Sequence, residues 1–339
     1  MAAGFKVATV NAASVPSTQT DFPSYVDLSR LGITTLAEAQ SVRVYADSSK
    51  TTEWAREIVS ATEMHVKIPS LTSTTDIYID WDGVSADYAV TDTYGRNAVW
   101  SDYVAVYHLE GNSNDSTVNA LNGSDTSVTY GTSFGVLGGQ GADFDGSASI
   151  INLGNSSLMN FDTPSYTIQS WAQPQANAGL LGIVSRRSAS APNAGYGLGY
   201  DWTQADGFSF VQRTTASVNW ETNSGFSSSI NNWYHVVGVY NAGGNSFCYV
   251  DATSGSLNTS TRGSISSTQN TYISALQSTS FKWNGYIDEL RLRTSALSAN
   301  WITTEYNNQS DEAGFWGTWS DVGGGATAKP SLLLMGVGS

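Results

Sequence analysis

The side chains of this 339-residue chain with the clearest potential for chemistry are two adjacent carboxylates. Asp288 and Glu289 lie in an alternating apolar stretch, which predicts a strand with the two carboxylates on opposite faces. Hydrolysis of a glycosidic bond usually needs two carboxylates that flank it, about 5 to 9.5 Å apart. Residues on opposite faces cannot meet that need, so this spacing disfavours catalysis.

The three histidines give no support to an enzyme either. His65, His108 and His235 fall in separate predicted strands, and neither H-E-x-x-H nor a comparable metal-binding spacing occurs. The phosphate-binding pattern G-x-x-x-x-G-K-[ST] is also missing from the sequence. We interpret each histidine as an ordinary strand residue and predict no enzymatic activity.

A calcium site is the better-supported chemistry. The polar segment 110–122 carries acidic and amide side chains, among them Glu110, Asn112, Asn114 and Asp115. Calcium takes six to eight oxygen ligands, often from a turn-rich loop. The alternative is that this loop is simply polar. The acidic balance of the chain likewise has a simpler explanation, which is that it favours solubility.

Aromatic side chains beside polar ones suggest a second kind of site. Trp202 and Trp220 lie in polar, turn-rich contexts, and with Tyr196 and Tyr200 they are our predicted glycan-binding residues. The alternative for these rings is edge packing or a protein interface. Trp171 and Trp233, by contrast, lie in strand motifs and are predicted to pack in the core.

Strands must position all of these residues. Alternating polar and apolar residues predict half-buried strands at 5–10, 24–28, 41–45, 64–68 and 75–80, with a short helix at 35–40. Further strand signals, without convincing helical periodicity, follow at 142–145, 166–171, 182–185, 207–211, 233–240, 247–250 and 286–293. Short strands at this spacing are typical of a sandwich or jelly roll.

Composition excludes several classes of function. Charged residues make up 13% of the chain against roughly 25% in average proteins, and the net charge is −14. A chain of that sign repels phosphate backbones, which disfavours nucleic-acid binding. No apolar run reaches the length of a membrane helix, and we see no signal peptide. The single cysteine, Cys248, allows no internal disulfide and is predicted to be a small core residue.

Several motifs carry a family resemblance. Three motifs follow one another along the chain: the opening Tyr103-Val-Ala-Val-Tyr-His-Leu-Glu110, the strand Trp233-Tyr-His-Val-Val-Gly-Val-Tyr240 and the segment Phe281-Lys-Trp-Asn-Gly-Tyr-Ile-Asp-Glu-Leu-Arg-Leu-Arg293. Together they resemble the laminin-G-like domains of the concanavalin A-like lectin/glucanase superfamily over about 101–312. The resemblance implies a jelly roll, and it implies calcium ligands at Asp288, Asp115 and Glu110. One departure is Ala252 after Asp251, where the family usually has glycine.

The N-terminal region resembles a β-rich domain of unknown function that often precedes such domains. The matching residues include Val15-Pro-Ser-Thr-Gln-Thr-Asp-Phe-Pro23 and Asp76-Ile-Tyr-Ile-Asp80. We therefore predict an all-β protein of two β-sandwich domains: a docking or assembly domain at 1–100 and a concanavalin A-like jelly roll at 101–312. Residues 313–339 would form a glycine-rich tail with a short apolar plug.

The tail suggests contacts with the body or with a neighbouring subunit. Leu332, Leu333 and Leu334 form the plug, and Trp316 and Trp319 precede it. We predict a non-enzymatic adhesion or structural protein on a phage virion, as capsid decoration or fibre. Its partners would be other virion or surface proteins in an oligomeric assembly, and glycans. The alternatives are a carbohydrate-binding module or adhesin on a prokaryotic cell surface and, third, a glycan-active enzyme. We predict a location on the virion surface or outside the cell.

Overall fold

The computed structural model describes residues 3–176, 179–201, 204–259 and 262–323, apart from the side chains of 201, 204–206 and 220. Strands dominate this part of the chain, which confirms the predicted all-β class. The strands and helices of the N-terminal region are β1 (Gly4–Thr9), β2 (Gln19–Asp27), α1 (Leu36–Gln40), β3 (Arg43–Tyr45), β4 (Glu53–Trp54), β5 (Arg56–Ile58), β6 (Glu63–Leu71), β7 (Asp76–Trp81) and α2 (Arg96–Val99).

These elements form two facing antiparallel sheets. A three-stranded sheet has the order β2-β6-β5, and in the other β1 pairs with β7 and β3 with both β7 and β4. The predicted alternation holds along β7, where Ile77, Ile79 and Trp81 are buried between partly exposed neighbours. The predicted short helix is also confirmed as α1, which begins with a capping box between Thr35 and Glu38.

The second region contains the strands of the jelly roll. They are β8 (Ala105–Tyr107), β9 (Ser124–Thr126), β10 (Thr129–Gly131), β11 (Gly141–Asp145), β12 (Ile150–Asn152), β13 (Tyr166–Pro174), β14 (Leu181–Arg187), β15 (Gly195–Asp201), β16 (Gln204–Arg213), β17 (Asn219–Ser227), β18 (Tyr234–Asn241), β19 (Asn245–Val250), β20 (Thr253–Ser254), β21 (Tyr272–Ile273) and β22 (Asn284–Arg293).

Two sheets of this region face each other across one apolar core. The eight-stranded sheet runs β10-β11-β22-β13-β18-β19-β20, with β8 also on β22, and the seven-stranded sheet runs β17-β16-β15-β14-β21-β12-β9. Side chains such as Ile168, Phe210 and Leu290 fill the space between them. Cys248 is fully buried there, as predicted.

The chain then returns to the N-terminal region through helices that the sequence did not predict. They are α3 (Ala299–Ser310) and α4 (Glu312–Trp316), and the short strand β23 (Ser320–Asp321) follows and pairs with β1. Ser298 caps α3. Trp316 is fully buried in the N-terminal core and Trp319 packs against that core, so both seat the C-terminal segment on the body. Leu332, Leu333 and Leu334 lie outside the described residues.

The N-terminal region packs on the outer face of the eight-stranded sheet. Val237 and Val239 of β18 and Tyr249 of β19 point outward from the jelly roll and belong to the N-terminal hydrophobic core. We call this part, together with the part beneath α3, the covered half of that face. The other end, which carries Asp143, Gln173, Tyr286 and neighbouring Trp233, is partly exposed, and we call it the open half. None of the helices in the described part of the chain is long and apolar enough to span a bilayer.

Candidate functional site

The covered half contains a buried cluster of charged and imidazole side chains. Strand β6 turns Met64, Val66 and Ile68 into the N-terminal core, so its alternation turns Glu63 and His65 toward the jelly roll. His108 follows β8, and Glu289 and Arg291 come from β22. The cluster therefore forms only where the two regions meet.

An extra residue in β22 shapes the cluster. Asp288 pairs with Trp171 and Arg291 pairs with Gln169, so β22 has one more residue than β13 between these pairs. Glu289 takes a left-handed backbone conformation with φ of 52° at this β-bulge. The predicted placement of Asp288 and Glu289 on opposite faces is therefore wrong: both carboxyl groups are buried beside each other, and Leu290 instead enters the core.

Four of these side chains converge closely. Within the described part of the chain, one ligand atom each from Glu63, His65, His108 and Glu289 lies within 4.8 Å of the others. His65 Nε2 is 3.1 Å from Glu63 Oε1 and 3.7 Å from Glu289 Oε2. His108 Nδ1 is 3.7 Å from Glu63 Oε1 and bonds Glu289 Oε1. The interpretation of His65 and His108 as separate, ordinary strand residues is thus corrected.

Burial and neighbouring charges shift the pKa values of the cluster in different directions. Burial would raise the pKa of Glu289, but His108 and Arg291 hold it well below its usual range. Burial opposes the charge on His108, but Glu289 and Glu57 raise its pKa well above the ordinary value. Burial lowers the pKa of His65 and raises that of Glu63, so burial favours the neutral form of both groups.

The three predicted calcium ligands do not converge. Asp115 accepts hydrogen bonds from the backbone amides of Val106, Thr117 and Leu121 within its own loop. Asp288 accepts from the amides of Val136 and Glu289, and burial followed by the charge of Glu289 raises its pKa well above the ordinary value.

Glu110, the third predicted ligand, has partners of its own. It bonds the backbone and side-chain amides of Gln140. Among the described residues Glu110, Asp115 and Asp288 do not form a group within metal-ligand range. The predicted set is therefore wrong in this structure, because local amides satisfy each carboxylate.

The predicted glycan-binding residues also need correction. Tyr196 and Tyr200 are buried in the core between the sheets, where Tyr196 donates to the carbonyl of Met159 and the Tyr200 hydroxyl bonds Ser228. They cannot face a ligand, because strand β15 turns them inward. Trp202 lies outside the described residues, and the side chain of Trp220 is likewise outside them.

A different aromatic surface lies in the open half. Ala142, Ala172, Tyr234 and Ile287 point into the core, so their neighbours along four adjacent strands point outward. The outward set is a row across the sheet of Asp143, Tyr286, Gln173 and Trp233.

The rings of this row are in contact. Trp233 and Tyr286 have ring centroids 6.3 Å apart, and the neighbouring ring of Phe134 lies tilted against Tyr286 with centroids 4.7 Å apart. All three rings are partly exposed, which corrects the prediction that Trp233 packs in the core. The sequence could have indicated the outward position of Trp233, because adjacent residues of a strand face opposite ways and its neighbour Tyr234 faces the core.

One short motif has no catalytic context. Gly131-Thr-Ser-Phe-Gly135 fits the G-x-S-x-G pattern of a nucleophile elbow, which needs a sharp turn between a strand and a helix. Here Ser133 is exposed on a 3₁₀ turn that joins β10 to β11 at the margin of the sheet. The segment therefore lacks the strand-to-helix junction that exposes such a serine.

The two facing sheets form a jelly-roll sandwich, and comparison with family models agrees with this fold. Residues 145–303 match the model described as Concanavalin A-like lectin/glucanases superfamily. This confirms the laminin-G-like resemblance for that segment, which lies inside the predicted range 101–312. No curated protein matches the sequence.

Solved structures share the architecture at low identity. The binding domain of Paraclostridial Mosquitocidal Protein 1 aligns with a TM-score of 0.51 and 15% identity, over 61% of this chain and 52% of that one. The Botulinum Neurotoxin serotype G binding domain aligns with a TM-score of 0.48 and 13% identity, over 60% and 50%. Domain 4 of AbnA, a GH43 extracellular arabinanase from Geobacillus stearothermophilus in complex with arabinotriose, gives 0.49 and 18%, over 60% and 97%. This chain spans about half the length of the two toxin domains, and the likeness concerns the fold.

Proposed function

We propose that the protein is a non-catalytic carbohydrate-binding protein, displayed on a surface, whose sugar platform is the open half of the eight-stranded sheet. The observation that carries the proposal is the contact row of partly exposed rings, Trp233, Tyr286 and Phe134. Rings held by a rigid sheet offer an apolar face to a sugar at little cost in conformational entropy.

Polar groups beside the rings supply the directional part of recognition. Gln173 lies between Trp233 and Tyr286 in the row and can both donate and accept hydrogen bonds. Asp143 lies on the other side of Tyr286, and burial followed by the neighbouring charge of Asp145 raises its pKa. Aromatic faces with a few placed polar groups are the usual composition of a small-molecule site.

The buried position of the paired carboxylates supports a role in binding rather than hydrolysis. Asp288 and Glu289 are each 2% exposed, and the N-terminal region and α3 cover the part of the sheet that carries them. A glycosidase must bring both carboxyl groups to its substrate. The site of display, a phage virion or a prokaryotic cell surface, stays a prediction from the sequence.

Glycan-array binding with ring-deletion variants tests this function. We expect the purified chain to bind at least one class of neutral oligosaccharide, and Trp233→Ala or Tyr286→Ala to weaken that binding about tenfold or more, as for central residues of binding sites. The matched control is Tyr78→Ala, which removes a partly exposed tyrosine that lies tilted beside Phe5 on the N-terminal sheet. Absence of binding across the array, or full binding by Tyr286→Ala, would contradict the proposal.

A further inference from the structure

Three separations between donor atoms in the buried cluster are close to those of a four-coordinate metal site. A tetrahedral zinc ion with bonds of about 2.0 to 2.2 Å separates its ligand atoms by about 3.4 Å. Glu63 Oε1 lies 3.1 Å from His65 Nε2 and 3.7 Å from His108 Nδ1, and His65 Nε2 lies 3.7 Å from Glu289 Oε2. The His108–Glu289 contact is shorter and would lengthen around an ion.

An outer carboxylate orients one of these donors, His108, as in many metal sites. Glu57 Oε2 lies 3.1 Å from His108 Nε2, so a carboxylate holds the ring nitrogen opposite the one that faces the cluster. Ser116 and Trp100 both donate hydrogen bonds to Glu57 and fix it in turn. A carboxylate on the second nitrogen of a ligating histidine is a recurrent arrangement that sets ring orientation and raises ligand basicity.

Acidic side chains also outnumber guanidinium groups at this junction. Five acidic side chains are buried at this junction, Glu57, Glu63, Asp288, Glu289 and Glu305, and Arg291 pairs with two of them, Glu289 and Glu305. Buried carboxylates are costly unless they are paired or bind a metal. A divalent ion bound by Glu63 and Glu289 would stabilise the ionised form of Glu63 and leave in place the contact between Arg291 and Glu305, which measures 2.7 Å.

We propose that Glu63, His65, His108 and Glu289 bind one Zn²⁺ ion as a structural site that fastens the N-terminal region to the jelly roll. Two imidazoles and two carboxylates suit zinc, whereas calcium and magnesium prefer oxygen ligands alone. Four protein donors close the coordination shell, as in structural rather than catalytic zinc sites. A cleft of about 190 Å³ lined by Glu57, His108 and Glu110 reaches one of the four donors, His108.

Metal content and thermal stability of the full chain test the site. The chain is stripped with chelator, incubated with equimolar Zn²⁺, desalted and analysed for bound metal and melting temperature. We expect about one Zn²⁺ per chain and a raised melting temperature, because an ion that binds only the folded state stabilises it. His65→Gln and His108→Gln should lose the bound zinc. His235→Gln removes the third buried histidine, outside the cluster, and should keep it.

The following results would contradict the proposed zinc site. A wild-type chain that retains no zinc overturns it, as do His65→Gln and His108→Gln variants that retain as much as His235→Gln. Recovery of the melting temperature with Ca²⁺ and not with Zn²⁺ would overturn it in favour of calcium. If the variants fail to fold, zinc-edge X-ray absorption of the loaded wild type decides: two imidazole ligands are expected, and a shell of oxygens alone refutes the assignment.

Discussion

The covered and open halves of one sheet face show how burial changes what a strand does. Within six residues of β22, Tyr286 lies partly exposed in an aromatic row, whereas Glu289 and Arg291 are buried in an ion cluster. Both ends share the same backbone ladder to β13. What differs is the layer above them: the N-terminal region and α3 cover one end and leave the other open to solvent.

This difference separates stability from recognition. In the covered half every charged group depends on a partner, since a buried charge without one is strongly destabilising. In the open half the rings already contact water, so removing one costs little folding free energy but deletes a surface for a ligand. Substitutions in the two halves should therefore have opposite profiles, and the following predictions test that contrast.

Arg291→Met should give the largest loss of stability. Arg291 bonds Glu289 and Glu305 and lies over the ring of Trp100 at 4.8 Å. Removing the cation takes a charged partner from two buried carboxylates, for which we expect a loss of about 3 to 5 kcal/mol in the free energy of unfolding, measured by urea titration. Lys282→Met, just before β22, is the control and should change stability by less than about 0.5 kcal/mol. Equal effects of the two would remove the distinction between the halves.

A second prediction concerns acid stability in the covered half. His235 is buried between Trp171 and Tyr306, with ring centroids 5.2 and 6.3 Å away. Burial, and next the charge of Arg291, lowers its pKa to about 3. Between pH 6.5 and 3 the unfolded chain binds a proton here that the folded chain does not, so this contribution is complete above pH 6.5 and is lost as the pH falls.

The measurement compares wild type with His235→Gln. By pH 5 the wild type should lose about 2 kcal/mol relative to the variant, in urea titrations at pH 7 and pH 5. Asp251 accepts a hydrogen bond from the backbone amide of His235 and is retained in both proteins, so its own titration cancels. Parallel pH profiles would mean that this ring is accessible to protons in the folded state.

Much of the fold could be predicted from sequence because it follows from local alternation. Strands β1 and β7 and the jelly-roll strands around Trp171 and Tyr240 lie where period-two patterns placed them. Helix α3 could not be predicted in this way. Its buried side chains include polar groups such as Glu305, Asn308 and Gln309, which pair across the junction instead of forming an apolar stripe.

The candidate sites were harder to predict for the same reason. His65 and His108 lie 43 positions apart in sequence, and only the packing of the N-terminal region on the jelly roll brings their rings to 4.9 Å. The bulge at Glu289 reverses the face that strict alternation assigns to it. Tyr196 and Tyr200 show the converse error, because their polar sequence context did not reveal that β15 faces inward.

Tyr286→Ala should have the smallest effect on stability and sharpens the comparison most directly. Tyr286 is partly exposed, whereas its neighbour Ile287 is fully buried in the core. Deleting a buried aliphatic side chain typically costs 2 to 5 kcal/mol, roughly, because it leaves a cavity. For Tyr286→Ala we expect about 1 kcal/mol or less by the same urea titration, since much of the ring is already hydrated. A loss of unfolding free energy as large as that of Ile287→Ala would mean that the aromatic row supports the fold. That result would contradict our interpretation of the open half as a ligand-binding surface.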